Sequence, residues 1–377
     1  MKRLLLFAIV AINALLTSAQ NNEIYMLVGT YTSPGKSEGI YVYKFNTLTG
    51  ESTPVSSAPI QNPSYLGISP NEKYVYAVQE VDAKVPGGGK VSSFTFNKAD
   101  GKLSPINTQS SGGDNPCYVQ VDNTGKWIFV GNYSSGTLST YALNKDGSLG
   151  APITISHTGT GPNKQRQEGP HVHCTVISPD NKWLFVPDLG IDKVMIYSFD
   201  SKNGKLANDP STGFAAAEPG AGPRHITFAP NKKYAYLIHE LNGQVAAYNY
   251  KNGTLDLIQR IPSTDTAKKG FAGSADIHVS PDGKFLYASN RGSFNDLAWY
   301  SINSSSGMLT LGGFQSTLGR TPRNFNIDPT GNYLLAANQG SNEIVVFKLD
   351  KSTGALTDTG KRIAVGQPVC IKWMKIK

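Results

Sequence analysis

The sequence predicts an all-β fold, a seven-bladed β-propeller of four-stranded antiparallel blades, on three observations. A unit recurs at residues 62–80, 115–133, 169–190, 222–240, 274–291 and 321–339, and a truncated seventh copy occupies 367–373. Each copy opens on Pro or a stand-in, runs through a short apolar stretch, turns at Asp, Asn or Gly, and returns through a second apolar stretch. The repeat length, near 50 residues, is that of propeller blades built from short strands around a central channel. No segment sustains apolar residues at i, i+3, i+4 and i+7, which leaves helices without a signal.

The elements follow in order. Residues 1–19 lie outside the expected fold. Met1, Lys2 and Arg3 give a basic start, Leu4 to Leu16 an apolar core too short for a membrane span, and Thr17, Ser18 and Ala19 a small-residue cleavage site. That is the layout of a secretory signal peptide, so residues 20–377 are expected as one exported, periplasmic or secreted, propeller domain. No Cys follows the expected cut, so a lipid anchor has no acceptor.

Within the second unit, strands are expected at 117–122, 127–130, 137–143 and 153–156, with Gly in the turns supplying positive φ. The truncated copy at 369–373 reads as an inner strand without partners, and 26–31 and 40–45 read as second and third strands without an inner one. Joining them makes the seventh blade and closes the ring, which removes the open sheet edges.

Composition narrows the function. The formal charge of +8 falls to +6 without Lys2 and Arg3, and the remaining basic residues are scattered rather than striped. A nucleic-acid footprint is therefore not expected. Cys117, Cys174 and Cys370 fall on expected inner strands as small apolar residues. Cys117 and Cys174 sit in neighbouring blades, which makes a disulfide conceivable.

In an up-and-down blade, residues entering strand one and residues leaving strand two share one face of the disc. The first set holds His171, His173, Arg224, His225 and Arg323. The second holds Glu80, Asn132, Asp188, His239, Glu240, Asn290, Arg291 and Asn338. Polar residues thus converge on one channel mouth, the default site in a concave pocket. Several Arg residues around one cavity suit an anion or a developing oxyanion.

Glu240, facing Arg224 and Arg291, is placed to act as a general base, and His171 and His173 are alternatives expected to point to one side. Each has a plainer reading: His225 as a packed strand residue, Glu240 with Arg224 as an inter-blade ion pair, Asp188 as a turn cap, and Asn132, Asn290 and Asn338 as loop ties. No metal-ligand spacing, no GxSxG elbow leading from a strand into a helix and no phosphate-binding glycine motif is present, and nothing requires a cofactor or a metal.

Four stretches then stand out: 166–173 (RQEGPHVH) running through to 192, Gly222-Pro223-Arg224-His225 with Glu240 beyond, Ser289-Asn290-Arg291, and Pro322-Arg323-Asn324. They resemble the lactonase family of seven-bladed propellers, which includes the bacterial propeller-type 6-phosphogluconolactonases and the fungal carboxy-muconate cyclases. The resemblance implies a small anionic lactone or sugar-acid substrate. It implies a catalytic set of His171 or His173 with Arg224, Glu240 and Arg291. Arg166, His225, Arg323 and Asn338 are the candidate substrate-binding residues around it.

The expected reaction is hydrolysis of a sugar-acid lactone, with arginines stabilising the oxyanion and Glu240 or His173 activating water. The alternatives are a lactonizing cycloisomerase or a non-catalytic propeller that binds carbohydrate or protein. The 6-phosphogluconolactone intermediate belongs to cytoplasmic sugar metabolism, whereas this chain reads as exported, which leaves room for a different sugar lactone.

Overall fold

The computed structural model describes residues 22–32, 35–209 and 213–376. The expected leader at 1–19 lies outside the described residues. Seven antiparallel sheets stand around one axis, and their inner strands are Leu66–Ile68, Pro116–Val121, Val176–Ile177, Pro223–Phe228, Ser274–Val279, Pro322–Ile327 and Pro368–Lys375, blades 1 to 7. Blade 3 splits its outermost strand into Lys205–Ala207 and Phe214–Ala216, both paired with Lys193–Asp200. Among the described residues the helical content is two single 3-10 turns, Leu189–Ile191 and Gln339–Ser341.

Local chemistry explains the hairpins between first and second strands. In blade 2, Asp122 Oδ1 accepts from the amides of Lys126 and Trp127 at 2.8 and 2.9 Å, while Oδ2 accepts from Thr124. Gly125 then turns the chain at φ 70°. This side chain-to-backbone bonding offers the chain a turn in place of continued strand. The second strands Tyr234–His239, Phe285–Asn290 and Tyr333–Asn338 are buried along their whole length, because neighbouring blades cover both faces.

Aromatic rings fill the space between blades. Phe185 of blade 3 meets Phe228 and Tyr250 of blade 4 edge-on, at 5.4 and 5.7 Å between centroids. Each such ring removes a large apolar area from water.

Closure follows the expected plan. Glu23–Thr30 pairs on one side with Gly39–Asn46 and on the other with Pro368–Lys375, in a register that sets Met26 opposite Trp373 and Val28 opposite Ile371. Residues from the two ends of the chain thereby share blade 7. The conceived disulfide does not form, since all three cysteines are free and buried.

Candidate active site

Two backbone devices aim side chains at the channel. The first is the position one residue beyond each second strand, occupied by Tyr31, Glu80, Tyr133, Leu189, Glu240, Arg291 and Gln339. Of these, Glu80, Tyr133, Glu240 and Arg291 line a cavity of about 550 Å³ at the mouth, joined by Cys117, Arg166, His173, Phe271, Gly292, Thr321 and Arg323. The volume is that of a small-ligand site.

The second device is a β-bulge at the start of the inner strand. In blade 4 Pro223 pairs with His239 and His225 with Ile238, which leaves Arg224 as the extra residue. Arg323 in blade 6 and Cys117 in blade 2 are extra residues in the same way. A bulge re-aims the side chain it adds.

Glu240 sits at the focus. Its Oε1 accepts from Arg166 at 2.7 Å, and its Oε2 accepts from Arg224 Nε at 2.8 Å and meets Arg291 at 3.0 Å. Burial opposes its charge, but Arg291, Arg224 and Arg166 together hold its carboxyl far below the usual carboxylate range. A carboxylate so stabilised takes up a proton poorly, because a useful general base has a pKa near the working pH. Glu240 thus gathers three guanidiniums at one point of the mouth.

Arg166 reaches this point from the long loop before blade 3. Buried Gln167 anchors that loop through Leu189 O and Asp192 Oδ1, at 2.9 and 2.7 Å. Gly190 lets it cross, since a Cβ there would lie 1.9 Å from Gly169 O.

The histidines separate. His173 borders the cavity, and burial first, then Arg224, His225 and Arg323, push its pKa well below the ordinary value, so it is a neutral imidazole at pH 7. His171 instead stacks behind Tyr133 at 4.4 Å between centroids and bonds Tyr133 O through Nδ1. Both rings pack on Tyr133, His173 edge-on at 5.4 Å, but His173 borders the cavity and His171 does not; 170–175 is not regular strand, and within it only Val172 is bridged, to Asp188. Asp188 caps the 3-10 turn through Gly190 and also accepts from His171 N.

Two more candidates leave the mouth. His225 faces the narrow waist below it, where the free space is about 10 Å³, and its Nδ1 bonds buried Asp276 at 2.8 Å. Burial and Arg224 push its pKa down to about 4. Asn338 lies one residue short of the channel-facing position and donates to Thr317 O, as a loop tie. Asn132 and Asn290 do the same work in their blades.

Residues missed as site residues lie beside these. Tyr31 donates its hydroxyl to Glu80 Oε1 at 2.8 Å, and Arg323 lies over the Tyr31 ring at 5.5 Å. The Arg323 guanidinium approaches Glu80 only to 3.7 Å and makes no hydrogen bond to the protein among the described residues, while its backbone N–H donates to Thr321 O. The available signal was position alone, since Tyr31 and Glu80 both follow a second strand. The thiol of Cys117 is pushed up by burial and stays protonated.

A family model described as "Lactonase, 7-bladed beta-propeller" matches residues 25–373. The 6-phosphogluconolactonase of Bacillus subtilis is 39% identical over 352 residues, 92% of this chain and 97% of that protein. That of Formosa agariphila is 39% identical over 343 residues, 90% of this chain and 96% of that protein. The solved periplasmic gluconolactonase of Pseudomonas aeruginosa superposes with a TM-score of 0.89 at 32% identity, covering 94% of this chain and 100% of that one. The chain therefore belongs to the lactonase family of seven-bladed propellers, a family of lactone-opening ester hydrolases.

Proposed function

We propose that this protein hydrolyses the lactone of a sugar acid, the reaction of a 6-phosphogluconolactonase, at the mouth bordered by Glu240 and Arg323. The carrying observation is charge. Four guanidiniums, of Arg166, Arg224, Arg291 and Arg323, stand against two carboxylates, Glu80 and Glu240, and the neighbouring His173 is neutral. An excess of two positive charges around a cavity favours an anionic substrate and the oxyanion that forms when water adds to a lactone carbonyl.

Arg224, nearly without exposure, is committed to Glu240 and to Ala275 O, so its task is to build the site. Arg323, with its donors unused, and Arg291 beside it are the groups to receive the developing oxyanion. Arg166, half-buried at the rim, is placed to meet the substrate's distal anion. His173 offers a neutral hydrogen-bonding edge to the ring hydroxyls. On this reading 20–377 is the working, exported domain, supported by the leader-like start of the sequence and the periplasmic Pseudomonas relative. Among the described residues no helix is long and apolar enough to cross a membrane.

The test is pH-stat hydrolysis of 6-phosphogluconolactone and gluconolactone, with the Arg166→Ala and Arg323→Ala variants alongside. Turnover well above the spontaneous rate is expected. Arg323→Ala should slow both substrates about 100-fold or more, a typical loss for one oxyanion donor. Arg166→Ala should raise KM chiefly for the phosphorylated lactone. An equal response of both lactones to Arg166→Ala would shift the substrate to the unphosphorylated sugar acid, and no turnover of either would overturn the reading.

A further inference from the structure

With Glu240 held by three arginines and the pKa of His173 pushed well below its ordinary value by burial and the neighbouring cations, both of the expected acceptors for the proton of the attacking water are weak bases. The acidic residues bordering the mouth, among those described, are Glu240 and Glu80. Glu80 differs in every respect that matters. Its backbone is clamped to Asn62, whose carbonyl accepts from Glu80 N and whose Nδ2 donates to Glu80 O, both at 3.1 Å. Tyr31 fixes Oε1 at 2.8 Å. Among the described residues Oε2 is buried without a hydrogen-bond partner, and its nearest cation, Arg323, stops at 3.7 Å.

A buried carboxylate oxygen without a partner is costly and calls for an explanation. The cost makes sense if the missing partner is a water or a substrate hydroxyl delivered with the reaction.

We infer that Glu80 is the general base of lactone opening, held by Tyr31 on one oxygen and acting through the other. The step balances without a further reactant. Water oxygen bonds to the lactone carbonyl carbon while one of its protons passes to Glu80 Oε2, and the carbonyl π electrons move onto the oxygen held by Arg323 and Arg291. When the tetrahedral species collapses, the bond from that carbon to the ring oxygen breaks. The proton on Glu80 passes to the ring oxygen, which leaves as a hydroxyl, and the new carboxylic acid ionises to solvent. Glu80 ends as it began. This assignment rests on the lactonase reading and deepens it.

The test uses the whole protein and the lactone that the wild type turns over. Glu80→Gln keeps the shape and removes the base, so kcat should fall about 10²–10⁴-fold, the usual worth of general-base catalysis, with KM within about threefold and an unchanged melting temperature. Glu80→Ala should regain part of its loss in added formate, whereas Glu240→Ala should not respond to it. Should Glu80→Gln fail to fold, Glu80→Asp, which retains a shortened base, should lose kcat rather than KM in a folded protein.

A Glu80→Gln enzyme within threefold of wild type overturns the assignment, as does a Glu80→Ala loss that formate leaves untouched. Both of those results leave the lactonase reading intact. A wild-type protein inert on every lactone removes that reading and the base with it.

Discussion

The two ends of the channel are built by the same seven inner strands and differ in how their charges are settled. At the mouth, four guanidiniums meet two carboxylates, and among the described residues the Arg323 guanidinium has unused donors and Glu80 Oε2 has no hydrogen-bond partner. At the far end, a funnel of about 280 Å³ is floored by Tyr65 stacked on Tyr118 at 4.0 Å. Its one buried carboxylate, Asp276, is shared by His225 at 2.8 Å, His278 at 2.9 Å and Asn324. Lys372 lies over the Tyr65 ring at 4.3 Å.

The far end is internally satisfied, and the mouth is satisfied only in part. A buried polar network completed by its own members stabilises and fixes structure, whereas one left open is completed by a ligand. That distinction, more than the identity of the residues, separates the functional end from the structural one.

The largest expected effect abolishes both ends at once. Ending the chain after Gln367 removes the inner strand of blade 7 and leaves the Glu23–Thr30 edge unpaired. We expect no cooperative melting transition by circular dichroism. A truncated protein melting at the wild-type temperature would refute the closure.

Glu240→Gln tests the mouth next. It leaves three guanidiniums around a neutral amide, and removing one partner of a buried ion pair is expensive. kcat/KM should drop at least 1,000-fold and the melting temperature should fall. Asp276→Asn is its counterpart at the far end and should lower the melting temperature while keeping kcat/KM within about tenfold. A reversal of the two activity losses would break the comparison.

Acid sharpens it. The folded pKa of His225 and of His239 is lowered to about 4, in both cases by burial first. The unfolded chain therefore binds more protons between the ordinary histidine pKa near 6.5 and 4. Stability is full above that window and falls as the pH drops through it, which thermal melts from pH 7 to 4 would show. A flat melting temperature over that range would mean that neither ring is held neutral.

The smallest effect separates the two histidines. His173→Asn, at the cavity, should cost at least tenfold in kcat/KM. His171→Asn, behind Tyr133, should cost less than threefold. Initial-rate kinetics on both variants decide it, and equal losses would return His171 to the site.

The ring and its closure were legible because seven spaced copies and two orphan half-blades left one arrangement that pairs every strand. The mouth was legible where a residue stands just past a second strand, as Glu240 and Arg291 do. Asn338 shows the limit of that rule, because in a pleated strand the next residue faces the other way and an offset of one exchanges loop tie for channel wall. Arg224 and Arg323 stood out as charged residues after Pro, but the bulges that turn them inward depend on pairing with another strand.

Glu80 was visible and its partners were not. Tyr31 comes from blade 7 and Arg323 from blade 6, hundreds of residues apart in the chain, and only the assembled ring places them around one carboxylate. The three-arginine grip on Glu240 was half visible: Arg224 and Arg291 were expected opposite it, but Arg166 arrives on a loop with no repeat to locate it.

The shared seventh blade also governs when the molecule becomes itself. Glu23–Thr30 leaves the ribosome some 340 residues before its partner Pro368–Lys375, so the earliest strand waits for one of the latest. Closing so long a loop is entropically dear and slow. Until it closes, six blades stand beside a three-stranded seventh whose Glu23–Thr30 edge is bare, a form that a protease can cut. A stalled or prematurely ended chain therefore lacks the seam that would hide it from degradation. The closing seam thus acts as a completeness check written into the topology.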